Sequence, residues 1–292
     1  MNNIVYRRAN YAAADDRRQI LELYHDVYHT DFTAGYDKWF RSGNRKAVGI
    51  VAVDAGSGKM VGHWALTLFK AVIAGEQVGY RLSLGTMTVA DYRGHGIAAT
   101  LFQHLRQAAI DEGDARFIMG FPNEASYRML LGHLNFAFLR DYHFVVLPRG
   151  KNRGSYKADD VSYKTPRDSF PGRNHLVHSA EYMEWHYHGN EYDKWQSENG
   201  HIFISTRFMD KADIVYWSET VTREELLDFA AFLYSSQKVE KVTTWNSAAF
   251  LDVYPAEARN YHMCVQYLDN PTAERERIGG EWFFYMGDCD LF

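Results

Sequence analysis

The first half of the chain alternates between apolar runs of strand length and segments whose apolar residues recur at helical spacing. In the segment 15–29 the apolar side chains fall three and four positions apart, and two aspartates occupy the first turn. This pattern predicts a helix over 15–29. Two apolar runs then flank Gly56, Ser57 and Gly58, which predicts a β-hairpin over 46–69.

The alternation continues to residue 147 and predicts an α/β fold. After a long extended run, Ile97, Leu101 and Leu105 recur every four residues, and Gly113 is suited to end that helix. The remaining predicted elements are a strand over 77–89, the helix over 96–112, a strand over 116–121, a helix over 122–134 and a strand over 136–147.

Two motifs of the first half recur, in the same order, in the second half. TAGYDKWFRSG begins at Thr33 and is echoed by SAEYMEWHYHG from Ser179. RDYHFVV begins at Arg140 and is echoed by RNYHMCV from Arg259. Two echoes in one order favour the duplication of a domain over a chance match.

The repetition predicts a first domain over 1–147 and a second over 174–292. Residues 148–173 carry many charges, three prolines and no apolar period, which is typical of a linker. The second copy is the shorter one between its two motifs. Between Trp217 and Arg259 no counterpart of the stretch RGHGIAATL or of the helix after it is evident. We therefore expect the second copy to be degenerate.

Composition and charge restrict the possible functions. A net charge of −5 over 292 residues argues against a nucleic-acid partner. Two cysteines make no disulfide framework, and the thirteen histidines show no metal-ligand spacing. The N-terminus lacks the apolar core of a signal peptide, and no apolar run reaches the length of a membrane span. We expect a cytoplasmic protein that uses no metal and binds no membrane.

The stretch DYRGHGIAATL, residues 91–101, places Gly94 and Gly96 between a predicted strand and a predicted helix. Glycines leave the main-chain N–H groups of a turn uncovered. The helix adds its own unpaired N–H groups and the positive end of its dipole. Such a turn is suited to a diphosphate. The alternative is a tight connection that binds nothing.

One motif within this turn suggests a dinucleotide. GHGIAA satisfies the fingerprint G-x-G-x-x-A, which also requires an acidic residue at the end of the next strand. That strand ends in Pro122 and Asn123, and Asp114, at a suitable spacing, precedes the strand. A nicotinamide-dependent oxidoreductase therefore lacks half of its signature and is kept as an alternative.

A second motif is matched more fully. The stretch TMTVADYRGHGIAATLFQHL resembles the coenzyme A-binding segment of the Gcn5-related N-acetyltransferases (GNAT), whose signature R/Q-x-x-G-x-G/A is met by Arg93, Gly96 and Ala98. FPNEASYRMLLGHLNF resembles a later segment of that family, with Asn123 and Ser126 in place. It departs from the family in lacking the terminal glycine, and in having Leu130 where a tyrosine is frequent.

The resemblance extends to a subgroup with two acetyltransferase-like halves, which VGHWAL, EWHYHG and EWFFYMGDCD resemble. It implies two tandem GNAT-like domains, each with a mixed, mostly antiparallel twisted sheet flanked by helices. The first would bind acetyl-CoA or another short acyl-CoA. The second would be degenerate and would shape the acceptor site.

The resemblance also implies where the acyl-CoA binds. The pantetheine arm would lie between the strand that precedes the glycine turn and the strand RFIMGF, along the backbone of Met87, Thr88 and Val89. Asn123 and Ser126 would contact the arm, although Asn123 is equally suited to cap a helix. The diphosphate would lie on the turn formed by Arg93, Gly94, His95, Gly96, Ile97 and Ala98.

Amine attack on a thioester needs a base for the amine, a donor for the oxyanion and an acid for the sulfur. A backbone N–H near Thr88 or Val89 is the candidate oxyanion donor. Tyr127 is the candidate acid, with a packed helix tyrosine as the alternative. Candidate bases are His25, His29 and Glu124, and water is the alternative for an amine that is partly neutral.

The acceptor is the part that the sequence determines least. Asp288 and Asp290 could hold an amine or sugar hydroxyls, and Trp282 could stack on a ring, whereas an acidic tail and core packing are the alternatives. The subgroup resembles N-acyltransferases of nucleotide-linked amino sugars, which makes such an amine the first expectation. Aminoglycosides, polyamines and peptide amines follow. A coenzyme A-binding sensor without turnover is the alternative to an enzyme, and a homodimer is the oligomer considered.

Overall fold

A computed structural model describes residues 3–41, 46–158, 163, 170, 172–189, 191–268 and 272–289. The chain forms two units, each built from several segments. Unit 1 consists of Met1–Ala71, Gln77–Arg140 and His262–Arg277, and unit 2 of Val72–Glu76, Asp141–Tyr261 and Ile278–Phe292. The sequence pattern predicts two consecutive domains, whereas the observed units are interleaved along the chain.

The helices and strands predicted up to residue 147 are confirmed, with ends shifted by a few residues. They are α1 (Ala14–Tyr28), β2 (Val48–Asp54), β3 (Met60–Ile73), β4 (Glu76–Thr88), α3 (Ile97–Glu112), β5 (Phe117–Gly120), α4 (Glu124–His133) and β6 (Ala137–Val146). Two further elements of this part, β1 (Ile4–Arg8) and α2 (Thr33–Tyr36), were not predicted.

The described residues of the later part of the chain add further strands and α-helices. They are β7 (Tyr156–Ala158), β8 (Asn174–Leu176), α5 (Ala180–His186), β9 (Tyr192–Ser197), β10 (Ile202–Phe208), β11 (Lys211–Trp217), α6 (Arg223–Ser236), β12 (Lys241–Trp245), β13 (Ala256–Tyr267), α7 (Thr272–Ile278) and β14 (Trp282–Phe283).

Unit 1 is a mixed, mostly antiparallel sheet in the order β1-β2-β3-β4-β5-β13-β6. β1, β2 and β3 are antiparallel neighbours, β4 and β5 run parallel, and β5 is antiparallel to β13. The predicted apolar stripe of α3 is buried: Ile97, Leu101 and Leu105 pack with Ile50 and Trp64 of the sheet. Burial of that stripe fixes the start of α3, and so the position of the glycine turn.

Unit 2 has the strand order β13-β6-β12-β11-β10-β9-β7. β9, β10 and β11 are antiparallel neighbours, whereas β11 and β12 run parallel with α6 between them in the chain. The sequence pattern predicts that the second copy lacks a counterpart of α3. This prediction is wrong, because α6 follows β11 as α3 follows β4. What differs is the connection, which is SETVT over 218–222 and contains no glycine.

A buried histidine contacts the main chain of β4 at Gly85. Gly85 has a φ of +62°, a conformation that glycine adopts without steric cost. Its carbonyl can only accept, so Nδ1 of His63, 2.9 Å away, carries the hydrogen. Nε2 then accepts from the Tyr11 hydroxyl at 3.1 Å. His63 is fully buried, and this burial lowers its pKa from 6.5 to about 4.

The neutral state of His63 predicts a specific loss of stability in acid. Between pH 6.5 and about 4 the unfolded chain binds a proton at this position and the folded chain does not, so stability falls as the pH is lowered through this range. The loss corresponds to about 3 kcal/mol of unfolding free energy. Urea denaturation at several pH values should show that His63→Gln lowers stability at pH 7 yet loses less of it in acid.

The control is His188→Gln, which changes an exposed histidine of the other unit and should keep the acid slope of the wild type. An unchanged slope in His63→Gln would contradict a neutral, buried His63.

Candidate functional site

The glycine turn joins β4 to α3 in unit 1. Gly94 and Gly96 have φ values of +80° and +76°, which side chains other than glycine rarely adopt. A Cβ built on either glycine would meet no atom within 4 Å, so neither is required by packing. The two glycines are therefore explained by the conformation of the turn, which curves in front of the first turn of α3.

The first amides of α3 lack intrahelical acceptors. The Thr100 N–H donates to the Gly96 carbonyl at 3.0 Å, and the N–H groups before it precede the first helical hydrogen bond. Gly96 is the N-cap residue and provides no side-chain acceptor. These N–H groups and the helix dipole make a site suited to an anion.

The corresponding end of α6 is closed by side chains. Thr222 accepts from the Glu225 N–H, and the Glu225 carboxylate accepts in turn from the Thr222 N–H. This capping box satisfies amides that α3 leaves without a side-chain partner. Of these two helices, each between parallel strands, only α3 thus begins with an anion-binding end.

A pocket of about 540 Å³ opens at the start of α3, a volume in the range of small-ligand sites. Six of the predicted cofactor-binding residues line it: Thr88, Arg93, Gly94, Gly96, Ile97 and Ala98. Four lining residues were not predicted: Tyr92, Ala99, Met129 and His133. Met129 and His133 are four residues apart on α4, a spacing visible in the sequence, but only the fold brings them to α3.

The Arg93 side chain is anchored beside the turn. Its Nε donates to the Thr88 carbonyl at 3.0 Å. This contact does not use the two Nη groups, which are the donors that Arg presents to phosphate oxygens. His95, the other polar residue of the turn, is exposed.

β4 continues beyond its pairing with β5. Their paired residues are Arg81 with Ile118 and Leu82 with Met119, whereas β4 continues to Thr88. Gly85, with its left-handed φ, lies just beyond this pairing. A pantetheine arm between two splayed strands stays a prediction.

The three residues predicted to contact the pantetheine arm along this strand have different environments in the structure. The Val89 N–H donates to the Val61 carbonyl at 3.0 Å, so Val89 is wrong as an oxyanion donor. The Met87 side chain is buried. Thr88 lines the pocket, and its N–H stays the predicted oxyanion donor.

Asn123 caps α4. Its Oδ1 accepts from the Ser126 N–H at 2.9 Å, which is the structural role weighed against ligand binding. Asn123 is exposed, and contact with the pantetheine arm stays a prediction for Asn123 and Ser126.

Glu124 and Tyr127 both contact His262, a residue that the sequence analysis does not predict. His262 lies 3.0 Å from a Glu124 oxygen through Nε2, and its ring stacks on Tyr127 with centroids 4.0 Å apart. At 100° per residue, Tyr127 lies on the flank of α4 opposite to Met129 and His133, which line the pocket. The roles of Tyr127 as acid and of Glu124 as base stay predictions. The echo RNYHMCV contained the only sequence signal for His262.

His25 lies exposed on the last turn of α1. Tyr28, three residues later, donates its hydroxyl to the Thr86 carbonyl of β4 at 2.8 Å, which places this end of α1 against β4. His25 thus stays a candidate base, and His29, also exposed, follows as the C-cap residue of α1.

The predicted acceptor residues lie in unit 2 or outside the described residues. Trp282 is buried, and its Nε1 donates to the Ile278 carbonyl at 2.8 Å. Asp288 is also buried, with one oxygen 2.6 Å from Nε2 of His178 and the other accepting from the Tyr285 N–H. Both side chains therefore make the contacts of core residues within unit 2. Asp290 lies outside the described residues.

Asp114, the acidic residue considered for a dinucleotide site, forms an ion pair with Arg81. An Asp114 oxygen lies 2.7 Å from an Nη of Arg81, which is fully buried and also donates to the Lys46 carbonyl. The pair holds the segment before β5 against β4. No cluster of metal-ligand type and no helix long and apolar enough to span a membrane occurs within the described residues.

Part of the chain matches a family of known proteins. Residues 8–132 match the family model described as Acetyltransferase (GNAT) domain, which covers the turn and the first nine residues of α4. No curated protein matches the chain.

Several solved structures resemble the chain along most of its length. A probable N-acyltransferase from Enterococcus faecalis V583 is 12% identical with a TM-score of 0.65, over 91% of this chain and 72% of that one. A GCN5-related N-acetyltransferase from Kribbella flavida is 13% identical with a TM-score of 0.64, over 93% and 73%.

The N-myristoyltransferase of Saccharomyces cerevisiae, solved with bound myristoyl-CoA, is 10% identical with a TM-score of 0.63, over 91% of this chain and 83% of that one. At these identities the likeness concerns the fold. The chain thus has the fold of the GNAT N-acetyltransferases, and its residues 8–132 match the acetyltransferase domain of that superfamily.

Proposed function

We propose that the protein is an acyl-CoA-dependent N-acyltransferase that moves an acetyl or other short acyl group to a primary amine. The observation that carries this proposal is the open N-terminal end of α3, which lies under a left-handed glycine turn and beside a pocket of about 540 Å³. An acyl-CoA supplies the activated thioester for such a reaction.

The residues of unit 1 fit the nucleotide and diphosphate part of coenzyme A. Amides at the start of α3 and the Nη groups of Arg93 would hold the diphosphate, since both are donors suited to phosphate oxygens. Met129 and His133 on α4 form the other wall of the pocket. The Thr88 N–H, at the end of β4, would donate to the oxyanion formed on attack.

For removal of the proton from the amine, we propose His25 among the predicted candidate bases. His25 lies on the turn of α1 that contacts β4 through Tyr28, which supports it as the base for the amine. An amine that is already partly neutral reduces the work required of that base.

For the acceptor, we propose the amino group of a nucleotide-linked amino sugar. Its support is the resemblance of EWHYHG and EWFFYMGDCD in the second half to acyltransferases of this kind. Other small amines, namely aminoglycosides, polyamines and peptide amines, are the alternatives.

Gly96→Glu should abolish cofactor binding without unfolding the protein. A carboxylate would then face the diphosphate at the start of α3, and we expect the Kd for coenzyme A to rise at least about 30-fold. Isothermal titration calorimetry gives both the Kd and the stoichiometry. Wild type should bind one coenzyme A per chain, because α6 is closed by its capping box.

The matched control is Gly58→Glu. Gly58 also has a left-handed φ, +68°, and open space around its Cβ position, but it lies in the turn between β2 and β3. It should cause similar strain and leave the Kd unchanged. Normal affinity in Gly96→Glu, or two equal sites per wild-type chain, would contradict the proposed site.

Thiol release from acetyl-CoA should depend on an added amine. With the panel of nucleotide-linked amino sugars, aminoglycosides, polyamines and peptides, we expect turnover with the first class, at a rate that rises with pH as the amine loses its proton. Tight binding of coenzyme A with no turnover on any amine would instead favour a sensor. Binding of NAD in place of coenzyme A, followed by fluorescence, would favour the oxidoreductase.

A further inference from the structure

The segment of β4 beyond its pairing with β5 has main-chain groups directed away from β3. The Val89 N–H donates to the Val61 carbonyl of β3 at 3.0 Å. Main-chain groups of neighbouring residues in a strand point to opposite sides. Thr86 and Thr88 therefore direct theirs to the side opposite to β3, beyond the last pairing with β5 at Leu82, and we call these two residues the open edge of β4.

Both carbonyls of the open edge accept hydrogen bonds from side chains. The Tyr28 hydroxyl donates to the Thr86 carbonyl at 2.8 Å, and Nε of Arg93 donates to the Thr88 carbonyl at 3.0 Å. An open edge is the part of a sheet to which an extended ligand adds as a further strand. The side chains thus occupy the acceptors that such a ligand would need.

The two side chains differ in what a coenzyme A ligand would offer them. Arg93 lines the glycine-turn pocket, and its guanidinium can gain phosphate contacts while its Nε stays on Thr88. Tyr28 comes from α1 and is 42% exposed, with its ring against Tyr24 at a centroid distance of 4.7 Å. Tyr24 in turn stacks on Phe32 at 4.0 Å. This aromatic column directs the Tyr28 hydroxyl to the open edge.

We propose that Tyr28 determines access of the pantetheine arm to the open edge of β4, because its hydroxyl and an amide N–H of the arm compete for the Thr86 carbonyl. The proposal rests on the proposed function, since it takes the acyl carrier to be coenzyme A. Tyr28 is in this view a specificity-determining residue that selects carriers whose arm offers an amide donor at this position.

Tyr28→Phe tests the competition, since it removes the hydroxyl and keeps the ring in the aromatic column. Coenzyme A should then bind about two- to tenfold more tightly, the equivalent of one neutral hydrogen bond. The nucleotide 3′-phospho-ADP, which carries the diphosphate and lacks the pantetheine arm, should bind Tyr28→Phe and wild type equally. Tyr24→Phe is the matched control, because it removes a hydroxyl from the neighbouring ring.

Calorimetry with both ligands on all three proteins separates the outcomes. Tighter binding of coenzyme A alone, in Tyr28→Phe alone, supports the proposal. Unchanged or weaker binding of coenzyme A in Tyr28→Phe overturns it while the proposed function stands. A wild type that binds neither coenzyme A nor 3′-phospho-ADP overturns the proposed function and this inference together.

Discussion

The unpaired amides at the start of α3 are the constraint on which the candidate site depends. Every helix begins with N–H groups that no intrahelical carbonyl can accept, and they must be satisfied by a side-chain cap, by water or by a ligand. The chain uses a side-chain cap at α6, where Thr222 and Glu225 face each other. At α3 it has Gly96 instead, which provides no acceptor. The start of α3 is therefore suited to bind an anion, whereas the side-chain cap of α6 occupies the amides that an anion would need.

The neighbouring strand, β4, ends beside the same turn. β4 continues beyond its last pairing with β5 at Leu82, and its Gly85 carbonyl accepts from an imidazole that burial keeps neutral. The last residues of β4 therefore direct their main-chain groups alternately to β3 and to the open edge. Under the proposed function, a carrier whose diphosphate lies on the turn would extend its amide-bearing arm along this edge.

The two units are not consecutive segments of the chain, and two of their boundaries fall within the strands that contain a repeated motif. RDYHFVV coincides with most of β6, and RNYHMCV lies within β13. Each of these strands is divided between the units, since Ala137–Arg140 and His262–Tyr267 belong to unit 1 and the rest to unit 2. His262 therefore comes to α4 from a segment far along the chain. Unit 1 is complete only with this late segment.

The sequence by itself determined the elements of the first half and the glycine turn, because helical periodicity, apolar runs and the conformational demands of glycine act within a few residues of the chain. Asn123 as a cap followed from the same local rules. The capping box of α6 is likewise a local pattern, since Thr222 and Glu225 are three residues apart. Only the tertiary structure decided that His262 meets Tyr127, that Met129 and His133 face α3, and that Trp282 and Asp288 are buried. Those outcomes depend on contacts between residues distant in sequence, which no local pattern encodes.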